Sequence, residues 1–320
     1  MLYLNEQAIR DAVTMKDVID AIDATYKLYK KNDFQMPERM QVKEGDDTLL
    51  LMPCITEDAI GTKLVTLFPN NTKHPTLHGL VILNDSNTGQ VKGLIDGSFL
   101  TGFRTGAIGG SAVRHLTDND ATKLAIIGTG VQGLYQSIAA CAERDITDIY
   151  LYNRSPEKIP AFKEKLRGWL GDDIQLHTAD SADIAVENAE VIITATTSNE
   201  PVLPDNKELL KDKVVIGVGS FQPTMREFPK TLYELTDKIY IDTDHAVEES
   251  GDIADPLEKS WIKSDAIENM AAFLADSKKV NKEKGRSVVF KSTGMALFDV
   301  VVGNLVYQKA IEKGVGMKLD

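Results

Sequence analysis

Cysteine is scarce in this chain. There are two, Cys54 and Cys141, far apart and without the paired spacing of a disulfide framework or a thiolate metal site. Both are expected to be inert, Cys141 as a small buried thiol on a helix face. Positive charge is also in deficit: 36 Lys and Arg against 48 Asp and Glu give a net charge of −12. That balance works against non-specific nucleic-acid binding. Nowhere do about 18 apolar residues run together, as a membrane span requires. No basic stretch leads into an apolar run and a small-residue cleavage site, so a cytoplasmic protein with no membrane partner is expected. His74, His78, His115, His177 and His245 form no H-E-x-x-H or comparable cluster, and no metal is expected. Internal repeats and low-complexity tracts are missing too.

What is present is an ordinary globular composition, 42% hydrophobic and 26% charged over 320 residues. The length is comfortable for two domains. Near the start, "VTMKDVIDAIDATYKLYKK" reads as an amphipathic helix. Thr14 with Asp17 three residues on suggests a capped N-terminus, and Val18, Ile22, Thr25 and Tyr29 recur at helical spacing. Between residues 48 and 96 come short strand-like runs, "TLLLMP", "GTKLVTLFP", "GLVILND" and "QVKGLID", with brief turn-rich connections. Such neighbours predict an antiparallel or mixed sheet. After about residue 117 strands and helices alternate, through "KLAIIG", "DIYLYN", "DIQLHT", "EVIITAT", "KVVIGVG" and "KIYIDT". This rhythm predicts an α/β fold with a doubly wound parallel sheet covered by helices on both faces. A helical stretch, "GMALFDVVVGNLVYQKAIEK", closes the chain.

The segment "KLAIIGTGVQGLYQS" places Gly128, Gly130 and Gly133 in G-x-G-x-x-G spacing between a β-branched run and a helix. In the Rossmann arrangement the first glycine makes the tight turn, the second admits a pyrophosphate, and the third lets helix and strand pack closely. The phosphates then meet the unpaired N–H groups of the helix N-terminus. A second strand ends 20 residues beyond Gly133, where an acidic residue would bond the ribose hydroxyls of NAD. Here the chain has Asn153, Arg154 and Ser155, with Lys158 a turn later. Unit charges about 4 Å apart interact by roughly 4 kcal/mol at an effective dielectric of about 20, so the sign of this residue matters. Arg154 suits a 2′-phosphate, which favours NADP(H), with NAD(H) still possible. The competing reading makes Arg154 a solvated surface charge.

Three cations stand in apolar surroundings, where an unpaired charge is costly: Arg39 in "MPERM", Lys63 in "IGTKLVTLFPNN" and Arg104 in "DGSFLTGFRTGA". Each could simply pair with a carboxylate. Together with "LLLMP", "HGLVILNDSNTGQ", "GTGVQG", "VIITATTSNEPVL" and "VFKSTGMALFDVV", these segments follow the order and spacing of the ornithine cyclodeaminase/mu-crystallin family, which the sequence resembles over nearly its whole length. The resemblance implies a homodimer in which residues 117–293 form a dinucleotide-binding domain. That domain is inserted into a second, α+β domain for substrate binding and dimerisation, residues 1–116 and 294–320. It implies that Arg39 and Arg104 bind a substrate carboxylate and that Lys63 is the active-site lysine. Asp299 matches a position near the site, with a structural helix-face carboxylate as an equal reading. It also implies cofactor contacts from Val131 and Gln132 between the glycines, from Thr194, Ala195 and Thr196 at the nicotinamide end, and from Val218 and Gly219.

The sequence departs from the cyclodeaminase branch in "VGSFQPTMREFP". Deaminating members carry an aspartate where Phe221 stands here, Ser220 precedes it, and no carboxylate follows until Glu227. The expected activity is therefore NAD(P)H-dependent reduction of a small cyclic imino acid of the 1-pyrroline-2-carboxylate or 1-piperideine-2-carboxylate type. Two other readings stand beside it: an NAD-linked cyclodeaminase or alanine dehydrogenase-like enzyme, and a non-catalytic small-ligand binding protein. The acidic loop "DTDHAVEESGD", residues 242–252, reads as a solvated face.

Overall fold

The computed structural model describes residues 1–276, 280 and 283–320. They divide into two compact units, residues 1–104 with 295–320, and residues 105–294. The helix Gly97–Leu116 begins in the first and ends in the second. Among the described residues no helix is long and apolar enough to cross a membrane, and no cluster of His, Cys, Asp or Glu suits a metal ion.

The first unit is built on one mixed sheet. Strands β1 (Leu2–Leu4), β2 (Phe34–Gln35), β3 (Met40–Glu44), β4 (Asp47–Thr56), β5 (Ile60–Leu67), β6 (Leu77–Asn84) and β7 (Val91–Asp96) run in the spatial order β1-β7-β6-β5-β4-β2, with β3 also on β4. Pairing from β4 to β7 is antiparallel, as the short connections predict, whereas β1 joins β7 in parallel. Pro53 sits inside β4 without breaking it. Residues 47–51 pair with β3 and residues 55–56 with β2, so the proline falls in the gap between them, where no ladder N–H is called for.

Two helices cover this sheet. Met15–Lys31 opens with the expected capping box, in which Thr14 accepts from the Asp17 N–H and Asp17 accepts from the Thr14 N–H. It buries Val18, Ile19, Ile22 and Tyr26. Tyr26 meets Phe298 of the closing helix Ala296–Lys313 edge-on, with ring centroids 5.4 Å apart. That closing helix lies so near β5 that a Cβ on Gly61 would stand 3.3 Å from Val300.

In the second unit, β8 (Lys123–Ile127), β9 (Asp148–Tyr152), β10 (Gln175–Thr178), β11 (Val191–Thr194), β12 (Val214–Gly217), β13 (Ile239–Ile241), β14 (Ile267–Asn269) and β15 (Val288–Lys291) form a wholly parallel sheet. Its order is β10-β9-β8-β11-β12-β15-β13-β14. From β8 the chain winds first to one side and then to the other. The crevice between the C-terminal ends of β8 and β11 is the switch point at which such sheets bind ligands.

The acidic loop departs from its expected solvated character. Asp244, His245 and Glu248 are exposed, but Asp242 and Asp252 are fully buried. Asp242 accepts from the Ser292 hydroxyl and the N–H groups of Thr293 and Gly294, and Asp252 from those of Glu227 and Phe228. Fixed donors replace the water each carboxylate would otherwise require.

Candidate active site

Inward positions on β5 alternate, and the buried set is Gly61, Lys63 and Val65. A lysine thus occupies a core position between a glycine and a valine. Its Nζ lies 2.7 Å from Oδ2 of Asp299, while Nε of Arg104 donates to Oδ1 of the same carboxylate at 2.8 Å. Lys63 is 2% exposed, Arg104 5% and Asp299 not at all, so water screens this triad very little. Asp299 stands in the first turn of the closing helix, where the end of the macrodipole favours a negative charge.

The electrostatics follow from this packing. Burial alone would raise the Asp299 pKa, but Arg104 and Lys63 outweigh it and hold the carboxyl below its ordinary value. Burial brings Lys63 down to about 8, with Asp299 opposing and Arg104 and Arg39 adding to the fall. Half-buried Arg39 is therefore near enough to act on Lys63, and the first unit gathers Arg39, Lys63, Arg104 and Asp299. Pairing with a carboxylate and grouping as a cationic site both hold here: Lys63 and Arg104 share a single partner. Two cations on one carboxylate leave positive charge for an anionic ligand. The Cys54 thiol, pushed up to about 12 by burial and then by Asp299, stays protonated.

The second unit carries the glycine-rich segment. Gly128 adopts φ +107°, and a Cβ there would meet the Ala195 carbonyl at 2.6 Å. At Gly133 a Cβ would be 2.1 Å from the Gly128 carbonyl, so strand and helix could not approach as they do. Gly130 faces open space and caps the helix Val131–Glu143 without a side-chain bond. A cavity of about 330 Å³ opens here, lined by Gly128, Gly130, Asn153, Arg154, Ser155, Lys158, Ala195 and Thr196 among others. Its open glycine and uncapped helix end fit a pyrophosphate. Val131, Gln132, Gly133, Thr194, Val218 and Gly219 do not line this cavity. Val131 is exposed, and Gly133, Thr194, Val218 and Gly219 are buried.

At the end of β9, Asn153 donates to the Thr129 hydroxyl at 2.5 Å and accepts the Ser155 N–H at 3.0 Å. Both ends of its amide thus shape the turn, while Arg154 and Lys158 stand exposed at the cavity. At the departure from the cyclodeaminase pattern, Phe221 is half-buried and Ser220 is fully buried, its hydroxyl donating to the Met225 carbonyl. Glu227 is buried and accepts from Thr196, Gly219 and Ser220. Sequence reading passed over this carboxylate because nothing in its spacing announces partners on two other loops.

A family model described as ornithine cyclodeaminase/mu-crystallin matches residues 2–314. The chain belongs to that family. One member, the Delta(1)-pyrroline-2-carboxylate reductase of Bacillus thuringiensis subsp. konkukian, is 34% identical over 328 aligned positions covering 100% of both chains. Among solved structures of the family fold, the Thermococcus litoralis Delta(1)-pyrroline-2-carboxylate reductase in complex with NADH and L-proline superposes with a TM-score of 0.92. It is 31% identical, with 100% of both chains covered. An archaeal alanine dehydrogenase dimer with bound NAD gives 0.89 at 26% identity, covering 100% of this chain and 99% of its own.

Asp299→Asn would leave two buried cations facing a neutral amide, and breaking a buried pair in this way costs about 3–5 kcal/mol. Urea unfolding followed by circular dichroism should show a loss of that order. A loss below about 1 kcal/mol would mean the pairing contributes as little as a surface salt bridge.

Proposed function

We propose that this protein is an NAD(P)H-dependent reductase of a small cyclic imino acid, of the 1-pyrroline-2-carboxylate or 1-piperideine-2-carboxylate type. One observation carries the reading: a buried lysine and a buried arginine share the single carboxylate of Asp299, so the lysine able to release a proton stands beside a second cation. The reductases among the relatives support it.

NAD(P)H, when bound, supplies the hydride that reduces the C=N carbon. The glycine loop at 128–133 and the helix N-terminus after Gly130 hold its diphosphate. Arg39 and Arg104 hold the substrate carboxylate, each charge-assisted hydrogen bond contributing roughly 1.5–3 kcal/mol. Their larger effect is orientation of the adjacent carbon. Lys63 donates the proton that the ring nitrogen gains, turning the imine into a secondary amine. With a pKa of about 8 it is charged at neutral pH, yet releases its proton more readily than an exposed lysine. Asp299 keeps Lys63 charged despite burial and fixes the Nε edge of Arg104.

We assign the cofactor preference to NADP(H), on the side chains of Arg154, Ser155 and Lys158 around the cavity. We also place the protein in the cytoplasm as a homodimer; Met40 and Val42 on one face of β3 are exposed, as suits an apolar contact between copies.

Three measurements test the proposal. NADPH oxidation should be rapid with 1-pyrroline-2-carboxylate or its six-membered homologue and slow with pyruvate plus ammonia; NAD reduction with ornithine or alanine and no imine turnover would reject it. As pH rises through about 8, Lys63 loses its proton, so kcat/KM for imine reduction should fall on that side; a flat profile from pH 7 to about 9 would remove Lys63 as the donor. Arg154→Ser should lower kcat/KM for NADPH about tenfold, screening having cut the full Coulomb term, and change NADH by less than about twofold.

A further inference from the structure

The Glu227 carboxylate joins two loops that follow adjacent parallel strands. Its Oε1 accepts from the N–H and hydroxyl of Thr196, just after β11, at 2.7 and 2.9 Å. Its Oε2 accepts from the N–H groups of Gly219 and Ser220, just after β12, at 2.8 and 3.2 Å. The loops touch so closely that a Cβ on Gly219 would stand 2.1 Å from the Thr196 carbonyl.

Behind the carboxylate lies a second layer. Lys291, at the end of β15, places Nζ 3.6 Å from Glu227 Oε2 and 3.4 Å from Asp252 Oδ2, and none of the three side chains is exposed. Asp252 in turn accepts the Glu227 backbone N–H at 2.8 Å. One carboxylate thus anchors the main chain at Glu227 while the Glu227 side chain anchors the loops. A charged group enclosed this completely holds its donors at fixed distances, because no water competes for them.

Thr196 lines the nucleotide cavity. We propose that Glu227, held by Lys291 and Asp252, is a positioning residue that sets the spacing of the loops after β11 and β12 and so fixes the nicotinamide half of the bound cofactor. This rests on the reductase reading above and names which part of the cofactor the buried cluster serves. A carboxylate accepts at both oxygens, whereas an amide accepts at one. Glu227→Gln keeps size and shape, but its NH₂ must face either the Thr196 N–H or the Gly219 and Ser220 N–H groups. One loop therefore loses its acceptor whichever way the amide turns.

The test is a pair of dissociation constants, for NADPH and for 2′-phospho-ADP-ribose, which lacks the nicotinamide. Glu227→Gln should weaken NADPH about tenfold, leave 2′-phospho-ADP-ribose within about twofold, and lower kcat at saturating NADPH. Thr196→Val keeps the N–H bond and removes the hydroxyl bond. It should show a smaller loss with the same selectivity, and serves if the glutamine variant does not fold. Equal weakening of both ligands, or of neither, would assign the cluster to folding alone and overturn the inference while the reductase reading stands. Wild-type protein that binds no nicotinamide dinucleotide would remove both.

Discussion

One carboxylate, that of Asp299, pairs with both a lysine and an arginine buried inside the first unit. Burial pulls Lys63 down to about 8 even with Asp299 beside it. Two short contacts to one helix-borne group keep the lysine protonated near neutrality and the guanidinium oriented. The helix Ala296–Lys313 is therefore a component of the site as well as a cover for the sheet, and the edge-on packing of its Phe298 against Tyr26 helps fix where the carboxylate stands.

The second unit repeats the same physics with backbone donors in place of cations. Asp242, Asp252 and Glu227 are buried acids, each accepting N–H groups from other segments. Such acids cost free energy when left alone and confer precise geometry when fully bonded. Asp242 directly follows a strand, Asp252 lies in the first turn of the helix Gly251–Glu258, and Glu227 reaches back to the loops after β11 and β12.

Much of this architecture was legible in the sequence, for local reasons. The glycine spacing at 128, 130 and 133, the capped helix at Thr14 and the change from clustered strands to alternating strands and helices all depend on residues a few positions apart. Lys63, Arg39 and Arg104 drew notice as cations among apolar neighbours, but the partner that joins two of them was not readable: Arg104 and Asp299 are 195 residues apart. Asp299 looked equally like a structural residue, and it does form the ion pairs such a residue would. The segment 242–252, much of it in two short helices, was misread because a dense run of acids resembles a solvated face. Which of those acids turn inward depends on N–H groups of residues 227–228 and 293–294. The role of Glu227 was hidden in the same way, since its donors sit on two separate loops.

In the proposed reductase the cationic cluster recognises a carboxylate next to the reacting carbon. Competition against 1-pyrroline-2-carboxylate by L-proline and by L-prolinamide, equal in ring and shape but differing in charge, tests it most directly. Proline should inhibit competitively and the amide should bind at least about tenfold more weakly, the equivalent of one charge-assisted hydrogen bond. Equal inhibition by both would contradict it.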